Sequence, residues 1–184
     1  MKQNKDICNI MNNQEKQSYA KQELTSGLIR LLKDKDIHQV SVSELAKESQ
    51  ISRVSFYRNF DSMEDILHQE TKNLMTNWYS ENKVAFDEDN KGNNRNDLLL
   101  SSLFGHLAEH SDFYLVLYRQ KCLHFIIPIL QPLLIPQTVQ SNFESYLSSF
   151  YLYGIYGWIV EWLERGMIES SEEIETWLRA RIIG

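Results

Sequence analysis

Two groups of side chains in this 184-residue chain have the types and spacing to do chemistry. The first is His106-Leu107-Ala108-Glu109-His110, two imidazoles one helical turn apart with a carboxylate between them. Histidines at i and i+4 of a helix can share a zinc ion, with the glutamate as base, as in the inverted zinc-protease pattern HxxEH. A metal-dependent hydrolase built on His106 and His110 needs a third, acidic ligand, and the sequence identifies none. A histidine in the last turn of a helix is also favoured simply by the helix dipole. His38, His68 and His124 are isolated and read as surface or packing residues. There is no GxGxxG, no P-loop and no GxSxG. No catalytic, metal or cofactor-binding residue is assigned, and the chain is expected not to be an enzyme. Cys8 and Cys122 are too few for a disulfide scaffold and form no CxxC. They read as reduced thiols, with a single bridge left open.

The second group is Arg53-Val54-Ser55-Phe56-Tyr57-Arg58-Asn59-Phe60. At roughly 100° per residue, Arg53, Val54, Tyr57 and Arg58 share one arc of a helix. Phe56 and Phe60 fall on another, where they can anchor on Leu45, Ala46 and Ile51. Two guanidiniums, a phenol and a methyl-bearing side chain are what base edges and phosphates pair with in a major groove about 12 Å wide. Taken alone, the segment also fits a helical protein with an arginine-bearing surface helix and no nucleic acid.

The elements that must position these groups read as helices throughout. Only seven glycines and three prolines punctuate the chain, and apolar residues recur at helical spacing, so the fold class is all-α. Helices are expected over 15–33, with Leu24, Leu28, Leu31 and Leu32 as its stripe, then 42–49, 53–59 and 62–84. Ser41 with Glu44 reads as a capping box, while Ser52 and Ser62 read as N-caps. The polar stretch 87–96 reads as a linker. Further helices are expected near 97–110, 112–121, 124–134, 137–165 and 171–182. Gly166 would stop the long one, and Ser170 with Glu173 would cap the last. The tight turn between the second and third helices gives a helix-turn-helix at about 42–61. The expected domains are 1–61, a three-helix unit, and 62–184, a second helical unit.

Residues 1–60 carry ten Lys and Arg against seven Asp and Glu, whereas residues 61–184 carry nine against eighteen. A basic front on a chain of net charge −6 suits an anion-facing module, although an imbalance this small also arises by chance. Residues 1–21 lack the apolar core of a signal peptide. The uncharged stretch 122–142 is interrupted by Pro128, Pro132 and Pro136, and 145–160 falls short of the roughly 20 residues that span a bilayer. The expectation is a cytoplasmic protein with no membrane contact.

Residues 41–67 resemble the DNA-binding domain of TetR-type transcriptional regulators. The resemblance rests on Glu44-Leu45-Ala46, Ile51-Ser52, Phe56-Tyr57-Arg58, Phe60, Ser62 and Glu64-Asp65-Ile66-Leu67, and extends over about 15–75. The region 103–178 is similar to a C-terminal type common in Gram-positive bacteria, including relatives of dihydroxyacetone kinase regulators. The resemblance implies that Arg53, Val54 and Arg58 face bases of double-stranded DNA. It implies that Ser43 meets a phosphate or a base edge, and that Ser55, Tyr57 and Asn59 hold phosphates. Ser52 is expected to cap rather than to touch DNA. Two positions depart from the family pattern. Gln50 stands where a glycine is usual, at a cost of about 1 kcal/mol if that site needs positive φ. Met63 stands where a phosphate-binding lysine is frequent, although a helix N-terminus there can itself attract phosphate.

The second unit is rich in aromatics, from Phe104 to Trp162, which suit an ordinary core or an amphipathic cavity. The resemblance implies an effector pocket there, with walls left unplaced, and a homodimer formed through the last two helices. Those helices look like an antiparallel pair. Gly154 and Gly157 would admit another helix or relieve crowding within one chain. A two-fold dimer suits a palindromic operator read at one-turn spacing, and an effector shifting the fourth helix would alter that spacing. A co-regulator acting mainly through protein contacts is the remaining alternative.

Overall fold

In a computed structural model the described residues are 12–89, 95–135 and 141–182, and all regular structure among them is helical. The chain forms two compact units that part within one long helix, between Glu70 and Thr71.

In the first unit, α1 (Asn13–Leu31) begins at a complete capping box. Asn12 accepts from the Gln14 and Glu15 amides at 2.9 and 3.0 Å, while Glu15 accepts from the Asn12 amide at 2.7 Å. Three otherwise orphaned donors are thereby satisfied. Leu24, Leu28 and Leu32 bury the inner stripe, and Leu31 is half-buried. A single 3-10 turn, Ile37–Gln39, leads into α2 (Val42–Ser49). Ser41 accepts from the Glu44 amide at 3.2 Å as expected, and the Glu44 carboxylate is bonded both by Lys35 and by the Ser41 backbone, which together hold it below the usual carboxylate range. α3 (Arg53–Asn59) and α4 (Met63–Asp89) follow. α1 packs on both α2 and α3, around Leu45 and Phe56.

In the second unit lie the rest of α4, α5 (Arg95–Glu109), α6 (Ser111–Arg119), a 3-10 turn (Leu123–Ile126), α7 (Ile127–Leu134), α8 (Asn142–Glu164) and α9 (Ser171–Ile182). The expected linker is helical at both flanks, 87–89 and 95–96, while 90–94 lie outside the described residues, as does the expected helix start at 137. Cys8 is also outside them, and Cys122 is buried, its thiol donating to the Gln120 carbonyl at 3.4 Å.

α8 ends in a Schellman arrangement. The Gly166 amide donates to Leu163 at 3.0 Å and the Met167 amide to Trp162 at 2.8 Å, with Gly166 at φ +77°. The Ser170–Glu173 capping box is complete, at 2.9 and 3.2 Å. The expected antiparallel pair is corrected in one respect. α9 packs chiefly on α5, and α8 on α6 and α7, while a cleft of about 550 Å³ lined by Gly157, Trp158, Trp162 and Trp177 lies beside α8 and α9.

Candidate nucleic-acid interface

Local chemistry fixes α3 before any partner is considered. Ser52 accepts from the Ser55 amide at 3.1 Å, satisfying an orphan donor of the first turn. Gln50, at φ 57°, makes the left-handed reversal between α2 and α3 that the sequence places at a usual glycine position. Phe56 and Phe60 are buried, their ring centroids 6.3 Å apart, alongside a fully buried Leu45. Burying two phenyl groups on one arc forces the opposite arc outward. Val54 and Tyr57 are accordingly 68% and 66% exposed, and Arg53 and Arg58 are exposed beside them.

The remaining expected contacts distribute unevenly. Ser43 is exposed on the first turn of α2. Ser55 is half-buried, and its hydroxyl accepts from that of Ser52 at 3.1 Å. Asn59 is half-buried and folded back on its own helix, donating to the Ser55 carbonyl at 2.7 Å. Its side-chain oxygen is buried with no partner among the described residues. Met63 is buried in the core. The start of α4 already carries Glu64 and Asp65, with Ser62 accepting from the Asp65 amide at 3.1 Å. Its own acids thus occupy the helix end that the sequence leaves open for phosphate.

The C-terminus of α3 hangs on the second turn of α4. Gln69 accepts from Lys21 of α1 at 2.8 Å, and its amide donates to Asp65 at 2.9 Å and to the Asn59 carbonyl at 3.4 Å. Lys21 also lies over the Phe60 ring, 5.6 Å from its centroid.

A groove of about 1160 Å³ runs alongside α3, lined from α1 by Asn13, Lys16, Gln17 and Ala20 and from the helix-turn-helix by Lys47, Gln50, Ser55, Arg58 and Asn59, among others. Lys16, Gln17 and Lys47 are not among the residues that the sequence leads one to expect at DNA. The available signal is the acid-free spacing Asn13, Lys16, Gln17, Ala20, which continues the side of Leu24 and Leu28 towards the N-terminus of α1.

In the second unit, His106 is buried and shares a 2.9 Å hydrogen bond with the Tyr114 hydroxyl. Burial, with a smaller contribution from His110, pushes its pKa down to about 4. The His106 and His110 rings lie 4.7 Å apart. Among the described residues no three His, Cys, Asp or Glu side chains are grouped to hold a metal. No helix among the described residues is long and apolar enough to cross a membrane.

Residues 24–69 match the profile described as bacterial regulatory proteins, tetR family, and residues 97–182 match that of a transcriptional regulator C-terminal region. Carrying both domains in that order, the chain belongs to the TetR family of bacterial regulators and is a DNA-binding transcriptional regulator. Its fold is similar to that of the fatty acid degradation regulator FadR from Bacillus halodurans. That likeness has a TM-score of 0.66 at 13% identity over 90% of this chain and 95% of the other. It is also similar to FadR from Bacillus subtilis, solved in complex with stearoyl-CoA, with a TM-score of 0.61 at 19% identity over 85% and 94%. No curated protein matches the chain significantly.

Proposed function

We propose that this regulator acts in the cytoplasm as a homodimer that reads a palindromic operator and is modulated by a small-molecule effector. The observation that carries the reading is the outward arc of α3, where Arg53, Val54, Tyr57 and Arg58 are exposed over a buried Phe56 and Phe60. In this reading Arg53, Val54 and Arg58 face bases, Ser43 meets a phosphate or a base edge, and Ser55, Tyr57 and Asn59 hold phosphates and fix register. Residues 1–61 serve as the reading domain, and 62–184 as the effector and dimerisation domain.

Dimerisation through α8 and α9 is supported by the outer face of α8. Phe143 and Phe150 are each 73% exposed and Tyr146 is 79% exposed. A Cβ on Gly154 or Gly157 would meet nothing within 4 Å, so neither glycine relieves crowding inside its own chain. Aromatic side chains stacked along one helix mark a contact surface, and a two-fold pair of them presents two copies of α3 to successive turns of one duplex. Because the fold is shared with a regulator solved with stearoyl-CoA, acyl thioesters are the first effector class to test.

Selection of duplexes from a random pool by the full chain tests the reading. The expected product is a palindrome with half-sites one helical turn, or a multiple of it, apart. Arg53→Ala and Arg58→Ala should each cost about 1–3 kcal/mol and relax one base position. Enrichment of no duplex refutes direct reading and leaves a regulator that works through protein contacts.

A further inference from the structure

Lys33 and the exposed Arg53 of the outward arc apart, the described cations of the first unit fall into two sets. Arg30 pairs with Glu48 at 2.6 Å, Lys35 pairs with Glu44, and Lys21 is held by Gln69 and the Phe60 ring. Lys16, Lys47 and Arg58 have no partner among the described residues, and these three line the 1160 Å³ groove beside α3. Among the described residues no carboxylate lines it, although the chain as a whole carries a net charge of −6. The rest of its polar lining includes the amides of Asn13, Gln17 and Gln50, which can donate to an anion's oxygens without adding charge.

We propose that this groove is a track for one phosphodiester strand of the bound duplex, with Lys47 of α2 and Lys16 of α1 as phosphate contacts, the latter extending the footprint beyond the helix-turn-helix. The proposal rests on the DNA-reading function above. Three observations fix the occupant as a strand. The volume exceeds the roughly 300–1,000 Å³ of a small-ligand pocket. The groove is open along the surface. Arg58 belongs both to it and to the outward arc of α3, so a backbone flanking a base-reading helix continues into it. Ammonium groups on flexible stems suit this role, since they act as point charges that follow phosphates without reading sequence.

The test is a fluorescence-anisotropy titration of the full chain between 50 and 200 mM salt, on a selected 30-base-pair duplex and on its scrambled counterpart. Each phosphate neutralised contributes about 0.9 to the slope of log affinity against log salt. Lys16→Gln and Lys47→Gln should each lower the slope by about one, so that affinity falls about fourfold less across that range. The preference for the selected over the scrambled duplex should be unchanged, and Lys47→Arg should restore the slope. Arg30→Gln, which removes a cation already paired away from the groove, should leave the slope as it is. Wild-type slopes in both lysine variants, with the wild type binding normally, overturn the groove and spare the reading helix. An equal drop in Arg30→Gln overturns it as well, showing a general charge effect. A wild type that binds no duplex overturns both readings together.

Discussion

The buried imidazole of His106 makes acid sensitivity a quantitative prediction. Its pKa is about 4 in the folded chain, against 6.5 for the free side chain, chiefly because burial penalises the charged form and then because His110 lies beside it. A group whose folded pKa is depressed in this direction stays neutral in the native state while the unfolded chain takes up a proton. Stability is therefore whole above pH 6.5 and is lost as pH falls from there towards 4. Integrating the linkage between those two values gives a loss of about 2 kcal/mol between pH 7 and pH 5, rising to about 3 kcal/mol at pH 4. The perturbation is His106→Gln, which keeps a polar group opposite the Tyr114 hydroxyl but cannot charge. Urea unfolding followed by helical circular dichroism at pH 7 and pH 5 measures the effect. Subtracting the variant's acid loss from that of the wild type removes the carboxylates and the other histidines common to both. A difference near 2 kcal/mol is expected, equivalent to about 4–8 °C in melting temperature for a chain of this size. Equal acid losses in the two proteins would mean that His106 titrates normally, and the burial argument would fail.

Other expectations follow from single contacts. Gln50→Gly relieves about 1–2 kcal/mol of left-handed strain at φ 57° and gives back about 0.4–1 kcal/mol in unfolded-state entropy, so thermal melting should rise slightly, by at most about 6 °C. Gly27→Val should cost about 1–3 kcal/mol, since a Cβ there would already lie 3.0 Å from that of Ser49 and 3.3 Å from its backbone. Gly105→Ala, with nothing within 4 Å, should instead stabilise by up to about 1 kcal/mol. Both are read from chemical denaturation midpoints. Phe150→Asp places a charge in the middle of the outer face of α8 and should convert a sedimenting dimer to a monomer without lowering helix content. A variant that remains a dimer at micromolar concentration would move the interface elsewhere.

What could be read from the sequence is what short-range geometry decides. Ser41, Ser52, Ser62 and Ser170 each find the amide three residues on, because cap and acceptor belong to the same turn. The sorting of Phe56 and Phe60 inward from Arg53, Tyr57 and Arg58 outward needs only the helical period. Failures begin where a partner arrives from elsewhere in the fold. Glu44 takes Lys35 from a loop in addition to its own cap, a contact that only tertiary placement supplies. α8 is apolar on both sides, with Leu152, Ile155 and Ile159 inward and Phe143 and Phe150 outward, so no periodicity tells which helices it packs against. That Lys16 and Lys47 lack an acid among the described residues, while Arg30 and Lys35 have one, is equally a property of the folded unit.

The attachment of α3 sets a scale for any effector response. Gln69 lies on α4, which continues past Glu70 into the second unit as one helix, and it holds the Asn59 carbonyl, Asp65 and Lys21 together. Each neutral hydrogen bond of this kind is worth about 1 kcal/mol net, and one to a charged group somewhat more. A shift of α4 that exchanged one arrangement of these bonds for another could therefore bias the position of α3 by a few kcal/mol at most. That range coincides with the 1–3 kcal/mol, about 5–150-fold in affinity, through which allosteric sites are usually coupled. A rigid attachment through buried ion pairs would resist such a shift, and an attachment without polar contacts would not transmit it. The amide of Gln69 has the intermediate strength that the proposed effector control of DNA binding through α4 would require.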